Sequence, residues 1–210
     1  MMRLSRQKLV VFFADPWVKL FAAAFVFPAL NHGSYNLIAL SEMPLFLDSN
    51  FTGIAACFGL PYGLLTAFMT NFFAELQYGF PWRHLPFALC GMATAIIVWR
   101  MARLDKLRTP VHFVVGTLLV AFANSLLGAI IATFVFGGGT ATNIDVIVMG
   151  FALMFDNIFS AAFLGRIIVN LFDKAPVLFA AMLFWRYVAS PQARASAEPL
   201  PAGGSPAPSA

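Results

Sequence analysis

Ionisable side chains are scarce in this sequence, and where they are missing says more than how few there are. Asp, Glu, Lys and Arg make up 10% of the 210 residues, against roughly 25% in soluble domains. Nothing charged at neutral pH lies between Phe51 and Ala74, between Leu85 and Trp99, or between Pro110 and Ile144. Gaps of this scale match the roughly 20 apolar residues that a helix needs to cross a bilayer core of about 30 Å. Cysteine is nearly absent as well. Cys57 and Cys90 stand alone in apolar segments, with no CxxC spacing and no histidine placed to share a metal, so both read as small packing residues. The signatures of common enzymes are missing too: there is no GxSxG, no GxxxxGK[ST] and no HExxH. The three histidines, His32, His84 and His112, fall in different segments and suggest no metal site. Most aromatic residues are scattered phenylalanines that form no cofactor box, so no cofactor is implied.

What is there is apolar. Hydrophobic residues make up 60% of the chain and its mean hydropathy is +0.82, more apolar surface than a water-soluble fold can hide. The apolar runs are continuous and lack the period of two that marks a transmembrane barrel. The expectation is therefore an all-α membrane bundle of about six transmembrane helices, some of them broken, with the lipid bilayer as its solvent. A net charge of +4 would suggest nucleic acid in a soluble chain. Here the bases sit at the ends of apolar runs, where they set orientation in the membrane, and no nucleic-acid partner is expected.

The organisation follows from these runs. Residues 1–17 form a basic lead-in on the cytoplasmic side, 18–189 the bundle, and 190–210 a Pro/Ala/Ser-rich tail expected to be disordered. The first span, from about Val18 to Leu40, is interrupted by Pro28, Asn31, His32, Gly33 and Ser34, so its second half is expected to be unwound. Phe51 to Tyr78 is too long for one crossing, and Gly59-Leu60-Pro61-Tyr62-Gly63 predicts a turn within it. Arg100, Arg103, Lys106 and Arg108 form the densest basic loop and are expected inside. Ala121, Ser125, Ala129, Thr133 and Gly137 recur every four residues, a stripe that lets another helix come close. Ile144 to Leu171 predicts a further helical stretch, and Pro176 to Tyr187 a short last helix; the path after Gly137 stays ambiguous between a broken or re-entrant stretch and one bent unit formed with the last helix.

Polar groups inside apolar segments are costly and tend to face a cavity or a partner. Asn31, Tyr35 and Asn36 cluster at the expected break of the first span, where freed peptide groups could also meet a ligand. Glu42 and Asp48 lie on the following outward loop; Asn71, Asn124, Asp156 and Asn157 interrupt three other segments. A shared cavity on the outer side would let one small molecule engage all nine. Without such a cavity, Glu75 would reach the water interface and Asp156 would pair with Arg166. The acids on this outer side favour a neutral or cationic ligand.

The stretch Phe46-Leu47-Asp48-Ser49-Asn50-Phe51-Thr52-Gly53, then Gly59 to Gly63, Thr70-Asn71 and Leu85-Pro86-Phe87-Ala88, resembles the substrate-binding S components of energy-coupling factor (ECF) transporters. Phe136-Gly137-Gly138 and Asn170-Leu171-Phe172-Asp173-Lys174 resemble later steps in some members. The resemblance implies a six-helix protein of the bacterial inner membrane that captures a vitamin, a precursor or a metal ion from outside. It also implies docking on a transmembrane coupling subunit driven by ATPase subunits, with no reaction performed by the chain itself and with the loop bearing Glu42 and Asp48 acting as a lid. One departure concerns docking, because Ala22, Ala23, Ala24 and Ala29 lack the four-residue spacing used by several members. The rival expectations are a membrane sensor built on a similar bundle and, weakened by the missing catalytic signatures, an intramembrane enzyme.

Overall fold

The computed structural model describes residues 10–80, 82–140 and 142–190. The expected tail, from 191 onward, and the first nine residues of the lead-in lie outside the described residues. The protein is all-α. In chain order its helices are α1 (Pro16–Phe21), α2 (Phe27–Leu40), α3 (Asn50–Phe58), α4 (Leu60–Gln77), α5 (Ala88–Arg103), α6 (Pro110–Phe134), α7 (Ile144–Ala152) and α8 (Ile158–Phe184). A π-helical turn, Ala22–Val26, joins α1 to α2; a 3-10 turn, Leu85–Phe87, precedes α5; a second π turn, Trp185–Ala189, ends α8.

Local chemistry explains where these helices begin. Asp15 caps α1 by accepting from Trp17 N at 2.7 Å, with Pro16 in the first turn, where a missing N–H costs nothing. Asn157 Oδ1 caps α8, accepting from Phe159 N and Ser160 N at 2.8 and 3.3 Å. Between α3 and α4, Gly59 adopts φ 154°, ψ 158°, a region open essentially to glycine alone. The turn expected in the Phe51 to Tyr78 stretch is this one residue, and it makes α3 a short helix.

Three stretches, Leu85–Arg103, Pro110–Phe134 and Ile158–Ala189, are long and apolar enough to cross a membrane. On α6, Val111, Val114, Val115, Leu118, Leu119 and Phe122 point outward and are 45–70% exposed, while Val120, Ala121, Ser125 and Ala129 on the opposite side are buried. A helix apolar on both faces suits a lipid surround. The chain is thus a membrane protein built as a helical bundle.

Helix α8 is its axis, packing on α3, α6 and α7, while α3 also touches α2, α4 and α5. Small residues permit these approaches. A Cβ on Gly63 would come within 2.9 Å of Ala95 Cβ and 3.0 Å of Ala56 Cβ, so α3, α4 and α5 meet almost backbone to backbone. Ala121, Ser125 and Ala129 are fully buried. The expected stripe holds as far as Ala129; Thr133 is half-buried, and Gly137 lies beyond the helix end and is exposed. Ser125 Oγ donates to Ala121 O at 2.7 Å and accepts from Asn170 Nδ2 at 3.0 Å. Ser125→Leu should therefore force α6 from α8 and cost about 1–3 kcal/mol or more. Ser125→Ala, which leaves Asn170 one acceptor short, should cost about 1 kcal/mol. Thermal unfolding in detergent measures both, and equal stability of Ser125→Leu and wild type would mean that the seam is loose.

Two expectations need correction. Residues 31–36 are not unwound: α2 is continuous from Phe27 to Leu40, with the irregularity one turn earlier, in the π turn ahead of Pro28. The polar side chains there find partners across the bundle, so the backbone need not open. The break left open within Ile144 to Leu171 is found at 153–157, but the separate last helix from Pro176 is not: the second half runs through Asp173, Lys174 and Pro176 as the single helix α8. Asp173 and Lys174 pair within the bundle, which removes the reason to place a boundary at them, and buried packing of Val177 and Leu178 carries the helix past the proline.

Candidate functional site

The bundle is solid at one end and hollow at the other. The solid end is filled by Ala56, Ala95, Val98, Leu107, Val120, Leu178 and Trp185 and bears the basic loop, where Asp105 Oδ1 accepts from Trp185 Nε1 at 2.9 Å and Arg108 Nε at 2.7 Å. The hollow end encloses a cavity of about 410 Å³, a volume typical of small-molecule sites. Its wall draws on α2, the 41–49 loop, α3, α4, the loop before α5, α5, α6, the loop after α6, and α8.

Helix α8 contributes Arg166, Asn170 and Lys174, four residues apart and hence on one face. Lys174 Nζ lies 2.6 Å from Asp173 Oδ2 and 3.4 Å from Asp48 Oδ1, and donates to Ser49 Oγ at 3.3 Å. Asp173 Oδ1 accepts from Phe46 N at 2.9 Å and Leu47 N at 2.6 Å. This cluster ties the 41–49 loop to the middle of α8 and sets Phe46, Asp48 and Ser49 into the wall. Asn124 Nδ2 donates to Thr94 Oγ1 and Val120 O, both at 2.9 Å. Asn71 donates to Ala67 O at 3.1 Å.

Aromatic rings supply flat apolar surface. Tyr35 stacks between His32 and Phe46, with centroids 6.3 and 6.5 Å apart; Tyr78 stacks on His84 at 5.1 Å. Phe87 stacks on Phe136 at 5.8 Å, and the Arg166 guanidinium lies 5.7 Å from the Phe87 centroid. His84, between the helices, is held below its usual pKa by burial, with His32 and Arg83 adding repulsion and Glu75 opposing them.

Of the residues expected at the site, Tyr35, Asp48, Asn71 and Asn124 line this one cavity. Asn31 stands behind the wall, fully buried and fully used: its amide donates to Thr52 Oγ1 and Thr70 Oγ1 at 3.0 and 3.1 Å, and its oxygen accepts from Phe51 N at 2.9 Å. It joins α2, α3 and α4. Asn36 does not line the cavity and donates to Gln77 Oε1 at 2.9 Å, beside the His32 contact with the same oxygen. Glu42 is exposed on its loop at φ 58°. Asp156 and Asn157 are exposed on the 153–157 loop, Asn157 as the cap of α8. Glu75, placed at water only if no cavity formed, is fully buried and stands outside the cavity lining.

The sequence reading missed Arg166, Asn170 and Lys174, although their four-residue spacing within an apolar helix was a visible signal. It also missed Arg83, Thr140 and Thr142. With these, the wall itself carries three bases and one carboxylate, a balance that the acids of the outward loop do not share. Among the described residues no three His, Cys, Asp or Glu side chains gather where they could hold a metal ion. No family model, curated protein or solved structure matches the chain.

Proposed function

We propose that the protein captures a small molecule in this cavity as the substrate-binding subunit of an ECF-type uptake system in a bacterial inner membrane. The observation that carries the reading is a cavity of about 410 Å³, lined by polar and charged groups, inside an apolar bundle. Polar groups at such depth are costly unless a cavity or ligand engages them. The motifs shared with S components support the same reading, since Asp48, Ser49, Thr52, Thr70 and Asn71, which they include, all lie at the cavity. The helices cross the membrane several times, and the bases at the solid end stay inside, so the cavity opens to the outside. The chain then releases its ligand unchanged, after docking on a transmembrane coupling subunit with ATPases.

Thermal unfolding of the purified chain with a panel of water-soluble vitamins and their precursors tests this. One member at about 100 times its dissociation constant should add about 2.7 kcal/mol of stability. Asp156→Ala, outside the cavity, should keep that gain. A panel in which nothing stabilises the folded chain would overturn the reading.

A further inference from the structure

Among the described residues Arg166 has no direct ion pair. Its side chain is 3% exposed and its Nε has no hydrogen-bond partner. Its contacts are a long hydrogen bond from Nη2 to Thr140 Oγ1 at 3.5 Å and the Phe87 ring. Asp145, on α7, is the acid whose charge reaches it, but only through Thr140, accepting from Thr140 N and Thr140 Oγ1 at 2.7 and 2.8 Å rather than pairing with the guanidinium. Gly128 faces the guanidinium stem, and a Cβ there would come within 3.2 Å of Arg166 Cδ. The arginine is thus placed by a ring on one side and a missing side chain on another, with its donors on the cavity wall.

We propose that the captured ligand is a small monocarboxylate with a planar ring, its carboxylate paired with Arg166. The inference rests on the capture reading above. A buried guanidinium without an anion is costly, and its planar fork matches the two oxygens of a carboxylate. Apart from Arg83, which is exposed and open to solvent, the rest of the wall argues for a single negative charge. Lys174 is shared by Asp173 and Asp48, so that cluster already holds two acids for one base and repels a second anionic group. It lies eight residues from Arg166 on the same helix face, about 12 Å along the axis, which separates the two regions of opposite sign. The stacked rings of Tyr35, Phe46 and Phe87 leave flat apolar surface for the body of the ligand.

Calorimetry on the full chain in detergent tests this with matched acid and amide probes: nicotinate and nicotinamide, 4-aminobenzoate and 4-aminobenzamide, indole-3-acetate and indole-3-acetamide, with inorganic phosphate beside them. At least one acid should bind tenfold or more tighter than its amide. Arg166→Gln should remove that preference, and Asp156→Ala should leave it intact. The acid-to-amide ratio is read on the unaltered protein, so the test stands even where Arg166→Gln fails to fold. Amides equal to acids, phosphate competing with the acid, or a panel hit that is neutral or cationic would each overturn the carboxylate while leaving capture standing. No binding in either experiment removes both readings.

Discussion

Asp173→Ala is expected to cost about 3–5 kcal/mol of stability, the usual penalty for breaking a buried ion pair from one side. Three partners lose their acceptor at once. Phe46 N and Leu47 N are bound by Asp173 Oδ1, and Lys174 Nζ sits 2.6 Å from Oδ2. Lys174, 2% exposed, would keep only Asp48 at 3.4 Å and the neutral Ser49 Oγ at 3.3 Å. The two freed amides would each carry a desolvation cost of about 1–3 kcal/mol, unless the 41–49 loop leaves the wall to reach water. In that case Phe46 and Asp48 leave the cavity, and ligand affinity falls together with stability. Asp173→Asn keeps an acceptor for the amides and should lose less. Combining Asp173→Ala with Lys174→Met removes the stranded charge and should recover part of the loss, giving a coupling term in a double-mutant cycle. Thermal unfolding of wild type, Asp173→Ala, Asp173→Asn, Lys174→Met and the double variant decides it: an Asp173→Ala variant as stable as wild type would show that the loop is not held by this pair.

The same pair explains what could not be read from the chain in order. The helical nature of the bundle was legible because charge-free gaps and apolar runs are local properties, and the break at Gly59 was legible because glycine beside proline is local too. The continuity of α8 was not. Asp173, Lys174 and Pro176 look like a boundary when considered alone, and they become helix interior only because Asp48, 126 residues earlier, and the amides beside it complete their coordination. The unwinding expected around Asn31 failed for a like reason. Asn31 is satisfied by Thr52, Thr70 and Phe51, partners that no window on the first span contains.

The candidate site divides the same way. Tyr35, Asp48, Asn71 and Asn124 were picked out because each interrupts or borders an apolar segment, and the fold brings them to one cavity. Asp156 and Asn157 were picked out on the same ground, yet they sit on an exposed loop where polarity costs nothing. Local polarity does not distinguish these cases. Spacing does better: Arg166, Asn170 and Lys174 recur every four residues along α8, so three polar groups share one face of a helix otherwise rich in apolar residues. The sign of the cavity depended on these residues and could not be read from the charges of the outward loops.

Glu75→Ala should be the most damaging change outside the 41–49 cluster, with a loss of about 3 kcal/mol or more, because hydrogen bonds to a charged acceptor contribute about 1.5–3 kcal/mol each. Glu75 is fully buried near the end of α4. Its Oε2 accepts from Trp82 N at 2.9 Å, and its Oε1 from His84 N and Leu85 N at 2.5 and 2.9 Å. One carboxylate thus satisfies three backbone donors of the tight connection into α5, a connection in which Trp82 itself is held at φ 59°. That connection also aims the site, since His84 stacks on Tyr78 and Phe87 follows directly to lie beneath Arg166. Glu75 does not line the cavity, so a fall in ligand affinity in Glu75→Ala would come through displaced His84 and Phe87. Glu75→Gln keeps one acceptor oxygen and should fall between wild type and Glu75→Ala in both stability and affinity. A glutamate that merely reached the membrane surface would tolerate all three residues equally. Unfolding temperatures of the three proteins, measured in one detergent, separate these cases, and equal values would refute the capping role.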